Sequence, residues 1–482
     1  MSLPVSESAG DALDMLSRFR VEFYECLYAR ADALFELTDA ILCKDGPVQT
    51  LVDLSLEAEH RRGHGALYQA LNTGWAEPAR LRSLLASLPV PRAVDGRIVL
   101  AVDVSTWLRP DAETSPDRLF CHVYGRGRGR SKDQFIPGWP YSFVAVLESG
   151  RTSWCRLLDA ARLGPADDAA AVTATQLRYV VEGLIAAGHW SKGTPELLIV
   201  ADAGYDLARL AHLLGDLPVE VCGRLRSDRV LARDPAPHNA HPRPGRPRMH
   251  GAPFALARPA TWGDPQTETR TDTTRYGAAT AQAWDRLHPR LTRRSAWITD
   301  QNAELPVLHG LVVRLTVERL PGGRDPDPVW LWSSRPGADR SHVDQLWRSY
   351  LRRFDLEHTF RLLKQTLGWT VPKLRDPAAA DLWTTLIIAV HTQLWLARPA
   401  ARDLRRPWER SLPADKLTPA RVRRGFRNIR AKAARPAAAP KPSRPGPGRP
   451  RGSINRTKAP RHTPGKTVKR AETLDQHYGR TG

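Results

Sequence analysis

The chain of 482 residues reads as a mixed α/β protein with a helical N-terminal domain, a partly β-rich insertion and a basic, largely disordered C-terminal tail. Three observations predict this. Between residues 95 and 226, short β-branched apolar runs alternate with stretches of helical periodicity. A stretch rich in Pro, Arg and Thr then interrupts the alternation before strong helices return. Of the formal net charge of +21, +18 falls between Ala401 and Gly482, where 23 Lys+Arg meet 5 Asp+Glu. At ~100–200 residues per domain the length predicts two to four domains. Hydrophobic residues at 41% are enough for a sizeable core.

Residues 12–43 and 51–72 carry apolar side chains at helical spacing, and Pro78–Leu88 predicts a further helix. The helical N-terminal domain therefore covers residues 1–91 and ends at Pro89-Val90-Pro91. Two readings stand for it, a DNA-reading helix-turn-helix or a helical cap. Residues 95–226 form the first part of a core. Arg97–Val104 is a short apolar strand ending in an acid, and Tyr141–Leu147 and Ser153–Leu158 form a hairpin turning at Glu148-Ser149-Gly150. Asp167–Ala187 is helical, with Asp167 and Asp168 suited to its first turn. Glu196–Asp202 is a second buried strand ending in an acid, followed by a helix at Asp206–Leu214 and a strand at Val219–Leu225. This order predicts a mixed sheet with at least one central parallel strand.

Residues 227–342 form the insertion. Its pattern dissolves between Ser227 and Asp300, and strands return at Leu311–Leu320 and Val329–Ser333. Residues 343–400 supply the last helices, Val343–Leu367 and Leu382–Leu396, and residues 401–482 form the tail. From Ala434 on, Pro, Ala, Gly and Arg leave little to bury, so this part is expected to be disordered when free and to bind double-stranded DNA by counterion release. Within it, Gly448-Arg449-Pro450-Arg451-Gly452 resembles an AT-hook core, whose arginines reach along a narrow A·T minor groove. A second Gly-Arg-Pro-Arg lies at 245–248, and both also read as Arg/Pro-rich loops.

Several classes are excluded. No apolar run reaches 18 residues, so no membrane partner is expected, and Met1–Ala12 has neither the basic start nor the apolar stretch of a signal peptide. The five cysteines lie far apart with no Cys-x-x-Cys, which argues against a disulfide scaffold or a zinc ribbon. His60 and His64, at i and i+4, read as a solvated helix face, so no zinc is expected. A metal here is expected on carboxylates, which favours Mg2+, with Mn2+ as a substitute.

Three acids stand out by position. Asp103 and Asp202 each end an apolar strand, where ligands of α/β folds gather, and Glu357 lies in the long helix. Strands placing Asp103 beside Asp202, with the helix across them, bring three carboxylates together. Such a cluster suits two divalent ions ~3.5–4 Å apart on a phosphate. The alternative is that each Asp caps the turn after its strand. Tyr350, Arg353 and Lys364 lie at −7, −4 and +7 from Glu357, on one helix face at about 100° per residue. That face suits a phosphate backbone, or is a solvated surface with an i, i+4 ion pair.

Tyr350-x2-Arg353-x3-Glu357-x6-Lys364 resembles the Y-R-E-K signature of a large group of bacterial insertion-sequence transposases, the DDE transposases. The first two acids of that group resemble Asp103 and Asp202, and residues 227–346 resemble its β-rich insertion. The resemblance covers roughly residues 95–400. It implies an RNase H-like catalytic core in which Asp103, Asp202 and Glu357 are catalytic and hold two Mg2+ ions. It also implies cleavage at element ends, strand transfer of the 3′-OH to target DNA, and DNA backbone contacts from Tyr350, Arg353 and Lys364. A homodimer in a synaptic complex and a cytoplasmic, nucleoid-associated protein follow from the same resemblance. Trp297, Trp330 and Trp332 are candidates for stacking on a flipped base or for core packing, and Arg224 and Arg226 for further DNA contacts. Two other functions stay open: a catalytically inactive DNA-binding descendant, and an RNase H-like nuclease without strand transfer.

Overall fold

The computed structural model describes residues 8–123, 134–150, 152–235, 249–292, 297–298, 303–320, 325–337, 339–441, 450, 452 and 457–467. Arg449 and Arg451 of the AT-hook resemblance and the Gly-Arg-Pro-Arg at 245–248 lie outside the described residues. Among those described, no helix is long and apolar enough to cross a membrane.

The N-terminal region is helical but more broken than its periodicity predicts. In place of one helix over 12–43 there are α1 (Ala9–Glu25) and α2 (Ala31–Cys43), separated by β1 (Leu27–Ala29). Arg30, at φ 60°, reverses the chain between them. Residues 51–72 divide into α3 (Leu51–Ser55) and α4 (His64–Thr73); β2 (Trp75–Ala76) pairs with β1, and α5 is Pro78–Ser87.

The central sheet begins with β3 (Val99–Leu108), β4 (Leu119–Val123), β5 (Gln134–Leu147) and β6 (Cys155–Arg162). Then come α6 (Ala169–Ala186), β7 (Leu197–Ala201), α7 (Leu207–Leu213) and β8 (Val219–Leu225). Asp168 caps α6 by accepting from the N–H groups of Ala170 and Ala171, and Asp206 caps α7 through Arg209 N–H. Five strands lie in the order β6-β5-β3-β7-β8, with β3, β7 and β8 parallel and β5 antiparallel to β3.

The insertion is more β-rich than expected. β9 (Val230–Ala232) pairs with β10 (Pro253–Ala255), and β11 (Thr267–Thr273) and β12 (Gly277–Leu287) precede β13 (Gly310–Val317) and β14 (Val329–Ser333). β14 pairs with β8, so β11–β14 extend the central sheet instead of forming a separate layer. β11 is TETRTDT, and the inward positions of β12 are Ala279, Ala281 and Ala283. β11 carries no large apolar residue, and β12 carries them only at its end, Trp284 and Leu287, so neither shows the alternation of large apolar residues that marks a strand in sequence. Trp330 and Trp332 are 4% and 2% exposed within this core, which removes them as free stacking platforms.

The predicted helix Val343–Leu367 is two helices, α8 (Arg340–Arg352) and α9 (Phe354–Gln365). They meet at Arg353, whose N–H bonds the Tyr350 carbonyl while its own carbonyl accepts from Leu356 N–H, both three-residue steps that tighten the turn. α8 packs on β7 and β8, α9 on β3, β5 and β6. α10 (Pro377–Ala397) is apolar all round and packs against α1, α2, α4 and β6.

Inside the span read as a disordered tail, the structure carries α11 (Pro419–Arg430) on α2 and α10. Its arginines are used internally: Arg430 pairs with Asp39 at 2.7 Å, Arg427 with Glu57 and Glu59, and buried Arg423 donates to the carbonyls of Ile41 and Gly46. The N-terminal helices thus share one core with α10 and α11. Arg20, fully buried, bonds Asp39, Gln393 and the Ala434 carbonyl across that core. Farther on, Gly465 forms a parallel bridge with Leu119, the first residue of β4.

Candidate active site

Register brings the two aspartates together. β3 and β7 run parallel with Val102 opposite Ala201, so the next residues, Asp103 and Asp202, are neighbours where β7 ends. Asp103 is mid-strand, because β3 continues to Leu108; the rim is made by the end of β7 alone. Across β5, Asp103 pairs with Phe143, whose ring lies 5.2 Å from Phe360 of α9. Cross-strand partners share a face, so Asp103 points to the side that α9 covers.

The α8–α9 junction completes the cluster. Arg353 reaches all three carboxylates: 2.9 Å to Asp103, 3.3 Å to Glu357 and 3.7 Å to Asp202. The Tyr350 hydroxyl donates to Asp202 at 3.1 Å. Three carboxylates held by one guanidinium are under-neutralised. Burial pushes the Asp103 carboxyl up to about 6; Arg353 and the Val104 N–H oppose the rise, and Asp202 and Glu357 add to it. Burial opposes the Arg353 charge, but Asp202 and Asp103 outweigh it and hold Arg353 above its ordinary pKa. The Arg353 Nε is buried with no hydrogen-bond partner.

Other expected residues sort differently. Lys364 is not among the carboxylates; its ammonium lies 5.6 Å from the Trp369 ring, and burial holds its pKa below the usual lysine value. Two helical turns, ~10 Å, separate it from Glu357. Arg224 is exposed at the end of β8, near enough to Tyr350 for its charge to act on the phenol, while Arg226 pairs with Asp228 at 3.0 Å. Trp297 donates to the Thr292 carbonyl and lies beside His212.

Two contributors escaped sequence reasoning. The Tyr205 phenol is pushed up by burial and by the Asp103 charge. Its signal is the run Asp202-Ala203-Gly204-Tyr205, a tight turn in which the Tyr205 N–H bonds the Asp202 carbonyl at 3.2 Å. Glu220, buried in β8, binds Arg97 at 2.7 Å and His342 of α8 at 2.8 Å, and so ties the helix that carries Tyr350 to the sheet.

A family model described as DDE superfamily endonuclease matches residues 22–290, more than half of the chain. The chain belongs to that family. As a DDE superfamily endonuclease it is expected to have an RNase H-like core, and the strand order β6-β5-β3-β7-β8 agrees with that expectation. Asp103 and Asp202 lie within the matched residues, whereas Glu357 comes from beyond them and joins the site only through folding. None of the curated proteins compared with this endonuclease matches it.

The DDE endonucleases generally use divalent metals. The donor set here is all carboxylate oxygen, the type that hard divalent ions select. Three acids share one guanidinium there, so positive charge is short. The residues therefore fit the group.

Proposed function

We propose that this DDE endonuclease is a DNA transposase that cuts at the ends of its own insertion sequence and transfers the 3′-OH strand to target DNA. The observation that carries this reading is the meeting of Asp103, Asp202 and Glu357 around Arg353, with Tyr350 on Asp202. These positions are three of the four in the Y-R-E-K resemblance, together with its two upstream acids; the fourth, Lys364, stands apart at Trp369.

Asp103, Asp202 and Glu357 would hold the divalent ions, Mg2+ or Mn2+. Bound there, the ions would neutralise the scissile phosphate and favour the ionised attacking oxygen. Asp103 is fixed by its place in the sheet and by the Val104 N–H at 2.8 Å, so its carboxylate is oriented before substrate arrives. Tyr350 holds Asp202 in position. Arg353 supplies counter-charge to the three carboxylates and, on its tight turn, is a ready partner for a backbone phosphate. Exposed Arg224 extends the cationic edge, and the arginines outside α11, including Arg449 and Arg451, supply attraction that does not depend on sequence. The partner is double-stranded DNA, and synapsis of two ends calls for a homodimer acting at the nucleoid.

An excision and insertion assay in cells tests the proposal, with the gene between its native flanks and wild type beside Glu357→Gln. Movement with wild type alone, leaving a short target duplication, is expected. Hydroxyl-ended nicks without joined product would make the protein a nuclease without strand transfer. Flank binding with neither would make it an inactive DNA-binding descendant.

A further inference from the structure

At one end of the insertion, away from the three acids, histidines from distant parts of the chain come together. Leu287 pairs with Gly310 across β12 and β13, which sets His288 opposite His309. His288 also exchanges backbone hydrogen bonds with Ala232, at 2.8 and 3.0 Å, so Asp234, two residues on, is brought to the same spot. A side chain at Gly251 would meet the Asp234 carbonyl at 2.1 Å, so only glycine lets the segment carrying His250 approach this closely.

The donor atoms converge. One oxygen, one nitrogen and one nitrogen from Asp234, His288 and His309 lie within 4.8 Å of one another. Asp234 Oδ1 is 2.5 Å from His309 Nε2 and 3.8 Å from His288 Nδ1. A tetrahedral ion with bonds of ~2.0–2.1 Å holds neighbouring donors ~3.3 Å apart, between these two values. His288 is 0% exposed, and its Nδ1 is buried without a hydrogen-bond partner. Buried polar atoms in native proteins are normally satisfied, and a metal ion would satisfy this nitrogen. Its other nitrogen, Nε2, lies 3.0 Å from His250 Nδ1. With Nε2 donating there, Nδ1 is left as the acceptor, 3.8 Å from Asp234 Oδ1. Arg286 holds the second Asp234 oxygen at 2.9 Å. Outer groups of this kind orient metal ligands.

We propose that Asp234, His288 and His309 bind one transition-metal dication, Zn2+ before others, which clamps β9 to the ends of β12 and β13. Two imidazoles and one carboxylate select Zn2+ over Mg2+. The site shares no residue with the carboxylate cluster and does not depend on the proposed DNA chemistry.

The test uses the full chain, stripped with chelator and titrated with Zn2+ and with Co2+ in excess Mg2+, which keeps the carboxylate cluster occupied. One equivalent of Zn2+ should be retained, and Co2+ should give the visible absorption of tetrahedral coordination. His309→Ala and Asp234→Asn should each weaken Zn2+ binding by ~100-fold or more, and Glu357→Gln should leave it unchanged. Zinc should raise the thermal midpoint of wild type and not of the two ligand variants. A wild-type chain that retains no zinc and gives no tetrahedral Co2+ spectrum overturns the proposal without recourse to any variant. So does binding that survives both ligand substitutions.

Discussion

Replacing Glu220 by Gln tests how the sheet holds the helix that carries Tyr350. Glu220 is fully buried and joins four segments: Arg97 before β3, β8 itself, Ser333 at the end of β14 and His342 in the first turn of α8. The amide keeps an acceptor for Ser333 or His342 but removes the charge opposite Arg97. That guanidinium, 4% exposed, would keep only Asp95 at 3.5 Å. Breaking a buried pair while leaving one partner costs about 3–5 kcal/mol. Against a total stability of ~5–15 kcal/mol, that loss should lower the urea midpoint clearly. The pH dependence has a definite sign. Burial raises the Glu220 pKa, but the His342 hydrogen bond and charge, Arg97 and Ser333 outweigh it and hold the value below 4.5. The stabilisation is therefore present above 4.5 and lost as the pH falls through the depressed folded value. Paired urea titrations of wild type and Glu220→Gln should show a wide gap at neutral pH that narrows on acidification. Where the variant remains folded, DNA cleavage should also fall, because a ~1 Å shift of Tyr350 and Arg353 can cost ~10²-fold. A neutral-pH gap below ~1 kcal/mol, or one unchanged in acid, would refute the reasoning.

Three further outcomes are expected. Glu357→Gln should abolish metal-dependent cleavage while leaving circular dichroism and DNA affinity near wild type, and cleavage at the normal rate would remove Glu357 from the metal site. Tyr350→Phe loses the 3.1 Å bond to Asp202, a hydrogen bond to a charged group worth about 1.5–3 kcal/mol, so the single-turnover cleavage rate should drop at least ~10-fold. Changing Arg444, Arg449, Arg451 and Arg456 to Gln should lower the salt slope of DNA binding by ~3–4, and an unchanged slope would take these residues out of the interface. This substitution is cleaner than truncation from Ala434, whose carbonyl accepts from buried Arg20 and whose loss would disturb the helical core.

Much of the core was legible because its strands are buried on both faces. Val219–Leu225 and Val329–Ser333 match their observed limits, and Leu197–Ala201 differs from Glu196–Asp202 only at its ends. Strand β11 and the first part of β12 were hidden because Thr and Ala line them where large apolar residues would have shown the pattern; only Trp284 and Leu287, at the end of β12, are large and apolar. Helix α11 was hidden by its arginines: composition registers five positive charges between Arg421 and Arg430 but not the buried carboxylates and carbonyls that receive them.

The candidate site divides along the same line. By itself the sequence determined which acids and cations to examine, because strand-end aspartates and a fixed helical spacing are local properties. Only the tertiary structure decided that Asp103, Asp202 and Glu357 meet around Arg353, and that Lys364 lies against Trp369 instead. Glu357 and Lys364 share one face of α9 but lie two turns, ~10 Å, apart along it, and helical spacing does not say which of the two the aspartates meet. The meeting of Asp234, His288 and His309 is likewise a product of strand pairing. Ligands separated by 54 and 21 positions leave no local signal, because hydrogen bonds between strands, and not nearness along the chain, bring them within reach of one ion.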